Sequence, residues 1–285
     1  MGYLDYFTFP DAEVEFNFFN AIKRTVYDSF YPFQIMPKHR FERIDFEPIT
    51  ILYGGNGSGK TTALNIIAKK TELQREAVFN QSNFFSDYLN YCSVELEQTI
   101  PAHSRIITSD DVFDYILNIR NLNEGIDYKR EDLFEEYLEN KYSKFQMKSL
   151  DDYEQLRRVV DARRKTQSKY VRNELMDNVR EYSNGENAFR YFTEKIEENG
   201  LYLLDEPENS LSPKRQMELM QLIEDYARFF GCQFVISTHS PFLLALKGAK
   251  IYDLDSDPVD VKKWTELDNV RTYYDFFKEH WMEFE

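Results

Sequence analysis

The sequence predicts an α/β fold in which a mainly parallel central sheet is flanked by helices, with an N-terminal β subdomain and an inserted helical lobe. Two observations carry the core. After Ser183, short apolar runs alternate with longer helical stretches, the pattern of parallel strands covered on both faces by their connections. Upstream, the apolar, β-branched run Ile49–Leu52 leads straight into glycines and then into a helical pattern. A third observation gives the lobe. Roughly Ser82–Arg180 is polar, rich in Asn and Tyr, and helical in pattern without a sustained heptad, so long coiled-coil arms are not expected. The core is thus expected in two pieces, about 1–81 and 183–285, around a lobe at about 82–182.

The aromatic-rich opening reads as a helix at Glu15–Asp28 and extended pieces at Phe33–Met36 and Phe41–Phe46, punctuated by Pro32, Pro37 and Pro48. Ile49–Leu52 reads as a buried strand. Ala63, Leu64, Ile66, Ile67 and Ala68 make Thr61–Lys70 a packed helix. Within the lobe, Pro101 and an Asn123–Gly125 turn are expected to break helices. The last third reads as helix Glu186–Glu198, strand Leu201–Leu204, helix Pro213–Phe230, strand Gln233–Ser237, helix Pro241–Leu246 and strand Lys250–Leu254. A hairpin strand within Val259–Trp264 and an end helix at Asn269–Phe284 follow.

Composition excludes several classes. A chain of 285 residues that is 42% hydrophobic, with 24 Phe and 20 Tyr, buries a core and is not disordered. No apolar run approaches the roughly 18 residues needed to span a bilayer, and Met1–Pro10 carries Asp5 and no basic residue, unlike a signal peptide. A cytoplasmic protein without membrane insertion is expected. Cys92 and Cys232 lie far apart with no metal-ligand spacing, so they read as reduced thiols. The formal charge of −15 repels polyanions. One local exception, Arg157, Arg158, Arg163, Arg164, Lys165, Lys169 and Arg172, reads first as a solvated helix surface, and nucleic acid stays a secondary partner class.

Four elements carry chemistry. Gly54-Gly55-Asn56-Gly57-Ser58-Gly59-Lys60-Thr61, followed by Thr62, fits G-x-x-x-x-G-K-[ST] between a strand and a helix. Glycines let successive N–H groups turn inward onto phosphate oxygens, and the helix adds its positive end. Lys60 then supplies an ammonium for the β- and γ-phosphates, and the Thr61 hydroxyl a ligand for Mg²⁺. Leu201–Leu204 ends in Asp205-Glu206-Pro207, two acids at the carboxyl end of a buried strand, where open α/β sheets bind ligands. Asp205 is the candidate Mg²⁺ partner and Glu206 the candidate base toward the attacking water. Phe234–Ser237 leads to Thr238-His239, which would put a histidine at the γ-phosphate. Tyr182-Ser183-Asn184-Gly185-Glu186 is, by itself, an N-capping turn before a helix.

In this order the four elements resemble the ABC ATPase superfamily. Gly200–Pro213 (GLYLLDEPENSLSP) and Ser237–Leu244 (STHSPFLL) resemble the small stand-alone bacterial ATPases, labelled AAA-family, near the RecF- and SMC-like branch. The resemblance is strongest over Ile49–Thr62 and Glu181–Asp255 and faint across the lobe. It implies a P-loop NTPase fold of ABC ATPase type, with ATP and Mg²⁺ as ligands and a head-to-tail homodimer formed around the nucleotide. It also implies that Ser183 and Gly185 contact the γ-phosphate held by the other subunit, with Glu186 opening the signature helix. Asn209–Ser212 would cross the dimer interface, and Gln81, after an expected strand at Ala77–Asn80, would touch Mg²⁺ and the attacking water. The signature departs from the Leu-Ser-Gly-Gly-Gln of transporter subunits, and Glu186 at a helix start is electrostatically favourable to the helix but not to a nearby triphosphate.

The function so implied is Mg²⁺-dependent ATP hydrolysis that drives dimerisation, a conformational switch for an unidentified partner protein. The alternatives are the ATP-binding subunit of a membrane transporter, or an ATP-gated regulatory module of a nuclease, toxin, DNA-repair or phage-defence system. The phosphate loop alone does not distinguish ATP from GTP.

Overall fold

Segments with no polar face form the sheet that carries the site: Ile49–Tyr53, Leu201–Asp205 and Gln233–Ser237 are buried at every position, as strands covered on both faces must be. The structure is a computed structural model that describes all residues except 1, 23–25, 28, 148, 150, 151, 177 and 179–182. In order, the chain runs through β1 (Leu4–Thr8), α1 (Ala12–Ala21), β2 (Arg43–Asp45), β3 (Ile49–Tyr53), α2 (Lys60–Lys70), α3 (Phe85–Tyr91), β4 (Ser93–Leu96) and β5 (Arg105–Thr108). It continues with α4 (Ser109–Tyr142), α5 (Tyr153–Arg164), α6 (Gln167–Glu174), α7 (Asn184–Lys195), β6 (Leu201–Asp205), α8 (Pro213–Phe229), β7 (Gln233–Ser237), α9 (Pro241–Leu244), β8 (Lys250–Asp253), β9 (Asp260–Lys262) and α10 (Asp268–Glu279).

Among the described residues, one sheet has the order β5-β6-β7-β3-β8-β9, parallel except for β9, which pairs antiparallel with β8. Its register aligns the carboxyl ends, with Thr108 opposite Asp205, Asp205 opposite Ser237, and Ser237 opposite Leu52. A smaller antiparallel sheet, β2-β1-β4, is joined to it by Gln233. The Gln233 side chain accepts the N–H groups of Tyr3 and Leu4 at 2.8 Å each and donates to the Leu4 carbonyl at 3.0 Å. That amide satisfies backbone groups which burial would otherwise leave unpaired. Leu64, Ile66 and Ile67 of α2 share one apolar core with Leu52, Leu203 and Val235 of the large sheet.

Two compact units result, Met1–Phe113 with Asn184–Glu285, and Asp114–Ser183. The second starts well after residue 82, because residues 85–108 supply α3, β4 and β5, two of them strands of the first unit's sheets. The expected Asn123–Gly125 turn is absent, and α4 runs through it for 34 residues. A mid-helix glycine costs only about 1 kcal/mol, which a long helix tolerates. Phe33–Met36 is a series of turns rather than extended, and residues 77–80 form no strand. α1 is shorter than expected, and Asp28 lies outside the described residues. The second unit has its own core, Leu133, Tyr137, Ala162, Tyr170 and Val171. Of its basic cluster, Arg158 pairs with Glu136 at 3.4 Å, Lys165 with Asp161 at 3.0 Å, and Arg163 donates to the Ser143 carbonyl at 2.6 Å. No helix among the described residues is long and apolar enough to cross a membrane. Both cysteines are buried and free.

Candidate active site

The loop between β3 and α2 folds as a cup because its glycines have no alternative. Gly59 has φ +95°, and a Cβ there would lie 2.9 Å from Ile35 Cγ2. A Cβ on Gly54 would lie 2.6 Å from Ser58 Oγ. Lys60, only 4% exposed, turns its Nζ back to the carbonyls of Gly54 at 2.7 Å and Gly55 at 3.1 Å. Burial pulls its pKa down, while the carboxylates of Glu206, Asp205, Asp255 and Glu208 oppose that fall. The buried ammonium is satisfied by these two carbonyls.

Sheet register brings Asp205 to this cup. The Thr61 hydroxyl donates to Asp205 Oδ1 at 3.1 Å, and Ser237 Oγ donates to the same oxygen. Burial raises the Asp205 pKa, against the lowering effect of the Ser237 and Thr61 hydrogen bonds. Glu206 follows in the left-handed region, φ 47° and ψ 53°, its N–H donating to the Ser237 carbonyl at 3.0 Å and to Ser237 Oγ at 3.1 Å. That conformation costs a non-glycine residue on the order of 1 kcal/mol and is typical of functional positions. It directs the Glu206 carboxylate toward His239, whose Nε2 lies 3.6 Å from Glu206 Oε1. Burial, then Lys60, lower the His239 pKa. The imidazole is therefore neutral at pH 7, and the contact is not an ion pair.

Two hollows flank Thr61 and Thr62. One of about 360 Å³ is lined by Asn56, Gly57, Gly59, Lys60 and Glu206. The other, about 500 Å³, is lined by Asn65, Arg75, Asn80, Thr108 and Asp205. Gln81 lines a third, with Tyr27, Ser29 and Ser82, so Asn80 rather than Gln81 shares a hollow with Thr61 and Asp205. Gly185, the second residue of α7, lies beside the loop after the acidic pair, where a Cβ would lie 3.7 Å from the Ser210 carbonyl. Glu186 finds a neighbour that the sequence hid, the Arg215 guanidinium of α8 at 3.3 Å. Ser183 is the last residue of the second unit, and Tyr182 lies outside the described residues.

Sequence reasoning missed Glu208, Asp255, Arg75 and Arg215. Asp255 accepts the Gly55 N–H at 2.7 and 2.9 Å and so braces the cup from the end of β8. The rule that strand carboxyl ends face ligands would have flagged it. Glu208, a third acid within four residues, carried a compositional signal only. Arg75 carried none.

A phosphate cup facing an acidic strand end defines a nucleoside-triphosphate-binding α/β protein. A family model described as ABC transporter matches residues 43–209, more than half of the chain, and the chain belongs to that family as an ABC-type ATPase. A model described as AAA domain, putative AbiEii toxin, Type IV TA system matches residues 179–245. No curated protein matches the chain by sequence. Among solved structures, the ATP-binding cassette MJ0796 in a dimeric post-hydrolysis state bound to ADP and Pi is 17% identical, covering 79% of this chain and 90% of that one at TM-score 0.37. The Smc head domain of Pyrococcus furiosus bound to the C-terminal domain of ScpA is 14% identical, covering 83% and 94% at TM-score 0.39. The SMC head domain from Thermotoga maritima is 13% identical, covering 78% and 92% at TM-score 0.36. At TM-scores below 0.5 these likenesses carry no weight, and the fold rests on the chain's own topology and the family match.

Proposed function

We propose that the chain binds ATP with Mg²⁺ in the cup and hydrolyses it within a head-to-tail homodimer, as a switch for a partner protein. The observation that carries this reading is the convergence of Lys60, Thr61 and Asp205, with Thr61 Oγ1 and Asp205 Oδ1 3.1 Å apart. These residues fit a magnesium ion. The oxygen pair is the sparse donor set with which Mg²⁺ binds when phosphates and water complete its shell. No group of three or more His, Cys, Asp or Glu side chains suited to a metal exists among the described residues. When bound, Mg²⁺ neutralises phosphate charge.

The chain's own residues supply the rest. Backbone N–H groups of Gly57–Thr62 and the Lys60 ammonium hold the phosphates. Glu206 accepts a proton from the attacking water, and neutral His239 donates a hydrogen bond to the γ-phosphate. Ser183 and Gly185 contact the γ-phosphate held by a second copy, and Arg215 offsets the charge of Glu186 there. Gln81 approaches Mg²⁺ and the attacking water from a hollow that shares Tyr31 and Asn80 with the one lined by Thr61 and Asp205.

The test is the size of Glu206→Gln protein with and without Mg²⁺-ATP. A dimer that forms only with nucleotide is expected, and a monomer under both conditions overturns the reading. The match of residues 179–245 favours, as a second reading, an ATP-gated module that acts with little turnover. Wild-type turnover no faster than that of Glu206→Gln would select it.

A further inference from the structure

Three successive residues after α2 each hold a different element. Arg75 Nη2 donates to Asn65 Oδ1 of α2 at 2.6 Å. Glu76 accepts from Tyr191 Oη at 3.1 Å and from Lys195 Nζ, both on α7, and from Arg105 Nη1 of β5 at 3.4 Å. The Ala77 N–H donates to Asp111 Oδ1 at 2.6 Å, and Asp111 Oδ2 in turn accepts the N–H and hydroxyl of Thr108 at 2.7 Å each. Thr108 is the register partner of Asp205. The helix that follows the phosphate cup, the strand paired alongside the one that bears the acid, and α7, whose second residue is Gly185, therefore all meet at Arg75-Glu76-Ala77. Arg75 and Asn65 also line the hollow shared by Thr61 and Asp205.

We propose that Glu76 is a positioning residue that sets α7, and through it Gly185, for the second copy, without itself touching nucleotide. The inference rests on the dimer reading above. Glu76 is suited to such work because its side chain is 52% exposed. Exposed charge pairs add little to fold stability, so the tie governs where α7 sits more than whether the chain folds. The lysine also lowers the Glu76 pKa, so the carboxylate stays ionised at neutral pH. Tyr191 is 2% exposed, and its hydroxyl donates to the same carboxylate.

The test is a double-mutant cycle in the Glu206→Gln background: Glu76→Ala, Lys195→Ala and both together. The readouts are the dimer dissociation constant with Mg²⁺-ATP, by sedimentation, and the binding of a fluorescent ATP analogue to dilute monomer. Glu76→Ala is expected to weaken the dimer about tenfold, the coupling lost when a charge network is cut, while monomer binding changes less than about twofold. The double variant should be no weaker than the worse single. Glu76→Gln, which keeps an acceptor for Tyr191, should show the same dimer defect with unchanged melting temperature. An unchanged dimer constant, additive losses in the cycle, or an equal loss of monomer binding overturns the inference. Failure of Glu206→Gln alone to dimerise overturns the dimer reading, and this inference with it.

Discussion

The Glu208 carboxylate accepts the backbone N–H of His239 at 2.6 Å and that of Ser240 at 3.2 Å, clamping the loop that ends β7. Burial raises the Glu208 pKa, and the His239 N–H works against the rise. Glu208 therefore positions the histidine rather than acting on substrate. We predict that Glu208→Ala lowers kcat about tenfold with KM nearly unchanged, the cost of one charge-assisted bond. Glu208→Gln, which retains an acceptor oxygen, should recover most of the rate. Steady-state kinetics on both variants checks this, and equal impairment in the two would remove the clamp from the account.

Lys60 is held by two carbonyls in a buried cup. Its replacement by alanine is predicted to weaken Mg²⁺-ATP binding on the order of 100-fold, since a desolvated ammonium facing phosphates is a strong charge-assisted donor. Calorimetric titration reads the change, with circular dichroism as a control for folding. Affinity within threefold of the wild type would contradict the cup assignment.

Glu206 occupies the left-handed region at φ 47°. Glycine adopts that conformation without a Cβ penalty, so Glu206→Gly should gain about 1 kcal/mol in urea unfolding while losing turnover. A variant less stable than the wild type would show that Glu206 side-chain contacts, such as the Asn209 amide at 3.0 Å, outweigh the backbone strain.

Glu15 is 4% exposed, and burial raises its pKa from 4.5 to about 7 against the lowering effect of the Gln34 N–H bond. A carboxyl with a raised folded-state pKa contributes stability fully below about pH 4.5, and this is lost as pH rises toward 7. The stability difference between Glu15→Gln and the wild type should therefore grow over that window, by on the order of 3 kcal/mol, and level off above it. Urea unfolding across pH 4 to 8 reads the slope, and a pH-independent difference would contradict it.

The core strands and helices were legible because each is a contiguous run with one period: β3, β6 and β7 appear nearly at their predicted bounds. The lobe was less so. Residues 85–108 read as lobe because α3, β4 and β5 are short and half-polar, and only pairing with distant β1 and β6 makes strands of the last two. Asn123–Gly125 read as a turn because a local turn signal says nothing of the helix on either side.

The sequence by itself determined the chemistry of the site: a glycine-rich cup closed by Lys60 and Thr61, an acidic strand tip at Asp205 and Glu206, and a histidine beyond the next apolar run. Each lies within a few consecutive residues, where backbone geometry ties identity to position. The tertiary structure alone decided which groups meet, among them Thr61 with Asp205, Glu208 with His239, Asp255 with Gly55, Arg215 with Glu186, and Glu76 with α7. Those contacts depend on strand order and register, which follow from burying every apolar face at once, and no local window of sequence holds that information.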